Sequence, residues 1–222
     1  MDFDFIFFVQ ALGAAFRAVP RVLLIVLCTL VCGTVIGMPM ALVRFYRVRF
    51  LKTFFDGLIT ILRGIPYLIF LLMFYLIFGQ HPEVDIILVT ALALGVSFSV
   101  RISEAIRGAL ESIGREQFDA AYSIGHTGGA VFWRVVFPQL IPAALPPLSN
   151  VFIWVLKSLP AASMIGVNDI LNSALSEATI NYRYLEAYLA AGLLFWVLFI
   201  IAEKIFLTIE KNFLAKTTKA VA

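Results

Sequence analysis

Charge is scarce in this sequence: Asp, Glu, Lys and Arg make up 14% of its 222 residues, against about 25% in a soluble domain. Cysteine is limited to Cys28 and Cys32. They lie four apart in one apolar run, on one helix face but without disulfide geometry. No His, Asp or Glu lies nearby to complete a metal site, so packing is their expected role. Histidine is limited to His81 and His126. The N-terminus, Met1-Asp2-Phe3-Asp4-Phe5, is acidic where a signal peptide is basic, so a cleaved signal is not expected.

What is abundant is apolar surface. Hydrophobic residues make up 62% of the chain, phenylalanine alone contributes 21, and the mean hydropathy is +0.98. A water-soluble globule of this size cannot bury that much. The composition indicates an integral membrane protein and excludes secreted mini-proteins, cytosolic enzymes and disordered regulators. The net charge of +3 is small, and its basic residues sit in short groups beside apolar runs. That is a topology signal rather than a nucleic-acid surface.

Uncharged stretches mark the spans. Arg21 and Arg44 enclose 22 uncharged residues, enough to cross about 30 Å of hydrocarbon at about 1.5 Å per residue. Five spans are expected, at about 19–43, 54–78, 86–102, 148–165 and 186–207, in one all-α domain over 1–222. Eleven or twelve basic residues fall between spans one and two, after span three and at the end of span five, against three on the other side (Arg17, Arg21 and Arg183). The positive-inside rule then places the N-terminus outside and the C-terminus in the cytoplasm. The segment before Pro20 is apolar on one helical face and is expected along the outer membrane surface or as an irregular lead-in.

The cytoplasmic stretch from Ser103 to Pro147 is too polar to span and too long for a simple turn. It reads as three short helices, Glu104 to Ile113, Glu116 to Ile124 ended by Gly125, and Ala130 to Phe137 ended by Pro138. Small residues at Ala120 and Ala121 in the middle helix would let a partner approach its backbone closely. A helix lying on lipid headgroups fits the same pattern.

Asp119-Ala120-Ala121, three residues, Gly125, nine residues, then Val135-Val136-Phe137-Pro138 resembles the EAA motif of ABC importer permeases: Glu-Ala-Ala, three residues, Gly, nine residues, Ile-x-Leu-Pro. All spacings match; Asp119, Val135 and Phe137 are conservative departures. Arg63-Gly64-Ile65-Pro66, Glu104-Ala105-Ile106-Arg107-Gly108, Pro138-Gln139, Ala144 to Asn150, and Lys157 through Ile165-Gly166-Val167 resemble motifs of the polar amino acid importer permeases. Leu159-Pro160 departs from the usual Thr-Ser.

The resemblance implies a methionine-importer-like (type I) fold in a bacterial-type inner membrane. It implies a second permease chain, identical or homologous, together with an ATP-binding subunit and an extracytoplasmic amino acid binding protein. Asp119, Ala120, Ala121 and Gly125 would form the coupling helix seated on the ATPase, with Asp119 paired to a basic residue there. ATP and Mg would bind that partner, since this chain has no Gly-rich loop with Lys-Ser/Thr.

Charges within spans need protein, water or a partner, since a centred one costs at least about 2.5–3.5 kcal/mol on insertion scales. Arg63 and Lys157 are such charges: they line a pathway, or they bond backbone carbonyls or Asp56. Lys157, with the break at Pro160 and with Ser163, would suit a substrate carboxylate. Ser97, Ser99 and Arg101 form a polar patch on span three, where Arg101 either sets substrate choice or snorkels to the cytoplasmic surface. Gly33-x-x-x-Gly37 reads as close helix packing. Asn168, Asp169 and Glu177 fall on the outer side, where they would be solvated or meet the binding protein.

The leading expectation is thus a permease without catalytic residues or a metal, importing polar amino acids. A quaternary amine is the alternative solute. A passive channel needs no EAA spacing, and an intramembrane enzyme lacks a Ser–His pair, because both histidines fall in loops.

Overall fold

A computed structural model describes residues 3–221, with side chains from Phe3 to Phe213. Helices follow in the order α1 Phe5–Arg17, α2 Val19–Phe45, α3 Arg49–Gly64, α4 Tyr67–Phe74, α5 Ile86–Ser112, α6 Arg115–Ser123, α7 Gly128–Val131, α8 Phe137–Ser158, α9 Ile170–Asn181 and α10 Tyr184–Val221. Wider π turns occupy Tyr75–Gly79 and Phe132–Val136, and a 3-10 helix runs over Leu159–Ile165. Among the described residues four helical stretches are long and apolar enough to cross a membrane: Val19–Phe45, Ile86–Ser112, Gly128–Ile165 and Tyr184–Phe213. The bent pair Arg49–Gly64 and Tyr67–Gly79 makes a fifth when taken as one broken span.

The bend is 93° and falls at Ile65-Pro66. Proline lacks the N–H that would continue the helix and forces its predecessor out of the α region; Ile65 is extended at φ −93°, ψ 123°. The expected second span, 54–78, is therefore two helices broken at its proline, and the first of them begins earlier, at Arg49.

Span three also differs from expectation, because α5 continues past Arg101 to Ser112. Its charges there are paired along the helix, Arg107 with Glu104 at 2.9 Å and with Glu111 one turn on. Counting uncharged residues ends a span where paired charges do not. Likewise Pro138 does not end a helix. It sits in the first turn of α8, directly after the π turn, so that α7 and α8 form one helical path from Gly128 onward. Gln139 Nε2 donates to the Val135 carbonyl at 2.8 Å beside this distortion.

α2 and α5 lie together along most of their lengths, and small residues let them. A Cβ on Gly37 would sit 2.6 Å from the Ser99 carbonyl oxygen, and one on Gly95 would sit 2.8 Å from Cys32 Sγ. The other face of α2 exposes Leu23, Leu24, Leu27, Val31 and Val35, as a lipid-facing surface requires. α1 packs on α9 and α10 through Phe7, Ala11, Ala14 and Ala15, so it belongs to the bundle and is not a separate surface helix. Asp4 caps it by accepting from the Phe7 N–H, and the Asp4 N–H donates to Glu186 on α10 at 3.1 Å.

Candidate functional site

The broken span opens a cavity of about 620 Å³ bounded by the α3–α4 break, α5 and α8. Arg63, Pro66 and Tyr67 come from the break, Ser97, Phe98, Arg101 and Glu104 from α5, and Trp154, Lys157 and Ser158 from α8. Four of the sequence candidates, Arg63, Ser97, Arg101 and Lys157, thus meet in one cavity. Positions 97, 101 and 104 are at helical i, i+4, i+7 spacing, and 154, 157 and 158 at i, i+3, i+4, so each helix presents one polar stripe.

Two candidates do not join them. Ser99 is fully buried on the opposite face of α5, against Gly37, and its hydroxyl donates to the Val96 carbonyl at 2.7 Å. It is a small residue of the α2–α5 contact. Ser163 lies in the 3-10 helix beyond α8 and donates to the Pro160 carbonyl at 2.7 Å, away from the cavity.

Among the described residues Arg63 bonds neither a freed carbonyl nor Asp56. Its guanidinium lies 3.3 Å from Glu104 Oε1, and Asp56 is taken by Arg44 at 2.8 Å and Lys52 at 2.6 Å. Glu104 also accepts from Arg44 at 2.8 Å and from Arg107 at 2.9 Å, so one carboxylate ties α2, the α3 terminus and α5 together. Glu104 was visible in the sequence within Glu-Ala-Ile-Arg-Gly, but nothing in that motif showed which arginines it would meet. Arg101 does not end at the polar surface alone: its guanidinium carbon lies 5.2 Å from the Trp154 ring centroid. Lys157 Nζ lies 4.8 Å from the Phe199 centroid on α10. Both are cation–π placements.

The second feature is α6, a helix of nine residues held between α5 and the α7–α8 path. Ala121 is buried, while Asp119, Ala120 and Tyr122 face outward. Gly125 has φ +85°, the left-handed conformation glycine tolerates, and its N–H donates to the Tyr122 carbonyl at 2.9 Å. Phe118 packs on Phe45 with ring centroids 6.0 Å apart, and Arg44 and Arg47 share a cleft with Arg115 and Asp119. Among the described residues no group of three His, Cys, Asp or Glu converges on a metal position.

The bundle thus combines a polar cavity at a helix break with a short exposed helix between α5 and α8. The chain belongs to the family of binding-protein-dependent transport system inner membrane components, whose sequence profile matches residues 33–213. It is 30% identical over 224 residues to the "Probable amino-acid ABC transporter permease protein PatM" of Vibrio harveyi, covering 99% of each chain. It is 28% identical over 202 residues to the L-cystine transport system permease protein TcyB of Bacillus subtilis, covering 90% of this chain and 85% of that one. A solved amino acid ABC transporter with histidines superposes with a TM-score of 0.83 at 26% identity, covering 96% of this chain and 100% of the other. The inward-facing MetNI methionine ABC transporter shares the fold, with a TM-score of 0.73 at 18% identity, covering 90% and 96%.

The chain is therefore a multi-pass inner-membrane permease with the methionine-importer-like fold, a transport subunit and not itself an enzyme. The family implies an ATP-binding subunit and a substrate-binding protein as partners.

Proposed function

We propose that this permease imports an amino acid, with ATP and Mg bound on a separate ATPase that seats α6. The carrying observation is α6 itself. It is exposed, sharply ended at Gly125, and fixed at both ends to membrane helices, so force on it moves α5 and α8. The relatives named for amino-acid transport support the substrate class. Asp119 pairs with a basic residue of the ATPase, Ala120 allows close seating, and buried Ala121 packs α6 onto its own chain.

The charge distribution supports an N-terminus outside and a C-terminus in the cytoplasm. Arg44, Arg47 and Arg115 cluster at the α6 end, whereas Arg21 donates to the Asn168 carbonyl at 3.3 Å and Arg183 pairs with Glu186 at 3.2 Å at the other. A second permease chain, identical or homologous, completes the transmembrane part of the complex, each chain forming one transmembrane domain.

The test is purification of the native complex through a tag on this chain, followed by intact mass spectrometry and ATP hydrolysis. The expected result is two ATP-binding subunits with two permease chains, hydrolysis rising with amino-acid-loaded binding protein, and Asp119→Lys lowering that stimulation about tenfold or more. Recovery of this chain alone in several detergents, or full stimulation of D119K, would refute the coupling role.

A further inference from the structure

Which amino acids suit the cavity follows from its charges, on the amino-acid reading given above. Three cations line it, Arg63, Arg101 and Lys157, against one carboxylate, Glu104. Glu104 is already shared by Arg44, Arg63 and Arg107. Arg101 and Lys157 meet no carboxylate among the described residues; each rests over an aromatic ring, Trp154 and Phe199 respectively. Cations within a membrane domain are expected to face a partner or water. Here two of them face a cavity of about 620 Å³, within the range of about 300–1,000 Å³ that holds small ligands.

We propose that Arg101 and Lys157 are specificity-determining residues and that the cavity selects amino acids carrying a second carboxylate. A zwitterion offers one carboxylate to two cations that have no carboxylate partner among the described residues and leaves one of them without; its ammonium is common to all amino acids and does not discriminate. A cationic amino acid adds a second positive charge to the lining. A dicarboxylic amino acid supplies one carboxylate to each cation, and a charged hydrogen bond is the stronger kind. Ser97, half-buried on the same stripe of α5 as Arg101, adds a neutral hydroxyl.

The experiment uses the whole complex with its binding protein, reconstituted in liposomes, and measures ATP-driven uptake of L-glutamate, L-glutamine, L-aspartate, L-asparagine and L-arginine. Acid and amide are nearly isosteric, so their ratio reads charge. The wild type is expected to favour acid over amide about tenfold or more. Arg101→Gln and Lys157→Gln each lower that ratio about tenfold, and Arg101→Lys restores much of it. Because the same binding protein serves every variant, its own preference cancels in the comparison, and a variant that fails to assemble loses both uptakes rather than the ratio. The wild-type ratio carries the binding protein's preference as well, so the variants decide: ratios in both glutamine variants within about twofold of wild type overturn the proposal. Uptake of some other amino acid but none of the five overturns the proposal; no uptake and no stimulation of ATP hydrolysis with any amino acid, cystine included, overturns instead the amino-acid reading on which it rests.

Discussion

Alanine at Gly37 and alanine at Gly33 should behave differently, although both glycines belong to one motif on one helix. A Cβ at Gly37 would lie 2.6 Å from the Ser99 carbonyl oxygen and 3.1 Å from the Ser103 nitrogen, both backbone atoms of α5. No rotamer change relieves a backbone contact, so α2 and α5 must separate by roughly 0.8 Å to regain ordinary van der Waals distance. At Gly33 the nearest atom, at 2.7 Å, is Ile102 Cδ1, the end of a side chain, with the Gly95 carbonyl oxygen next at 3.2 Å. Overpacking costs about 1–3 kcal/mol. Gly37→Ala belongs near the top of that range and Gly33→Ala near the bottom, shifting the melting midpoint by roughly 6–10 °C and 2–4 °C respectively. The assay is thermal unfolding of the purified complex in nanodiscs. Ile102→Val removes Cδ1, so it should rescue Gly33→Ala and leave Gly37→Ala impaired. Equal losses, or rescue of Gly37→Ala by I102V, would refute the close-packing account.

The ion pairs around Glu104 should be unequal. Arg44 is 16% exposed and bonds Glu104 at 2.8 Å, whereas Arg63 is 63% exposed at 3.3 Å. Double-mutant cycles on thermal stability should give about 1.5 kcal/mol or more for Arg44–Glu104 and below about 0.5 kcal/mol for Arg63–Glu104; the reverse order would contradict this geometry. On the other side of the bundle, Asp169 is fully buried, accepts from the Asn172 N–H at 2.8 Å, and leaves Oδ2 without a partner among the described residues. Burial pushes its carboxyl up to about 6, against the opposing N–H bonds from Asn172, Leu171 and its own backbone. Its folded value lies above the unfolded one of about 3.9, so the folded chain holds an extra proton between the two. That contribution to stability is complete below about pH 4 and is lost as pH rises through 6, by at most about 3 kcal/mol. Asp169→Asn keeps the cap, so its melting midpoint should gain on the wild type between pH 5 and 7.5; a pH-independent difference would exclude the protonated form.

The sequence by itself determined the class. Apolar composition and span length rest on local properties, the transfer of side chains into lipid and helix rise, while the permease class rested on the resemblance of the Asp119-to-Pro138 spacing to the EAA motif. That is why α2, α6 with its stop at Gly125, and the Gly33–Gly37 contact were readable before any packing was known. Tertiary structure decided the partners of charges. Counting apolar residues ended span three at Arg101 because it treats Glu104, Arg107 and Glu111 as isolated charges, whereas pairing lets α5 run to Ser112. Pro138 looked like a stop because the π turn that accommodates it involves residues before it. Ser97 and Ser99 looked alike in sequence, yet two residues along a helix turn about 200°, which sends one to the cavity and the other to Gly37. The cavity itself combines a proline break with faces of α5 and α8, segments about 90 residues apart in the chain. Only packing brings Arg63, Arg101 and Lys157 to one place and gives Glu104, rather than Asp56, to Arg63.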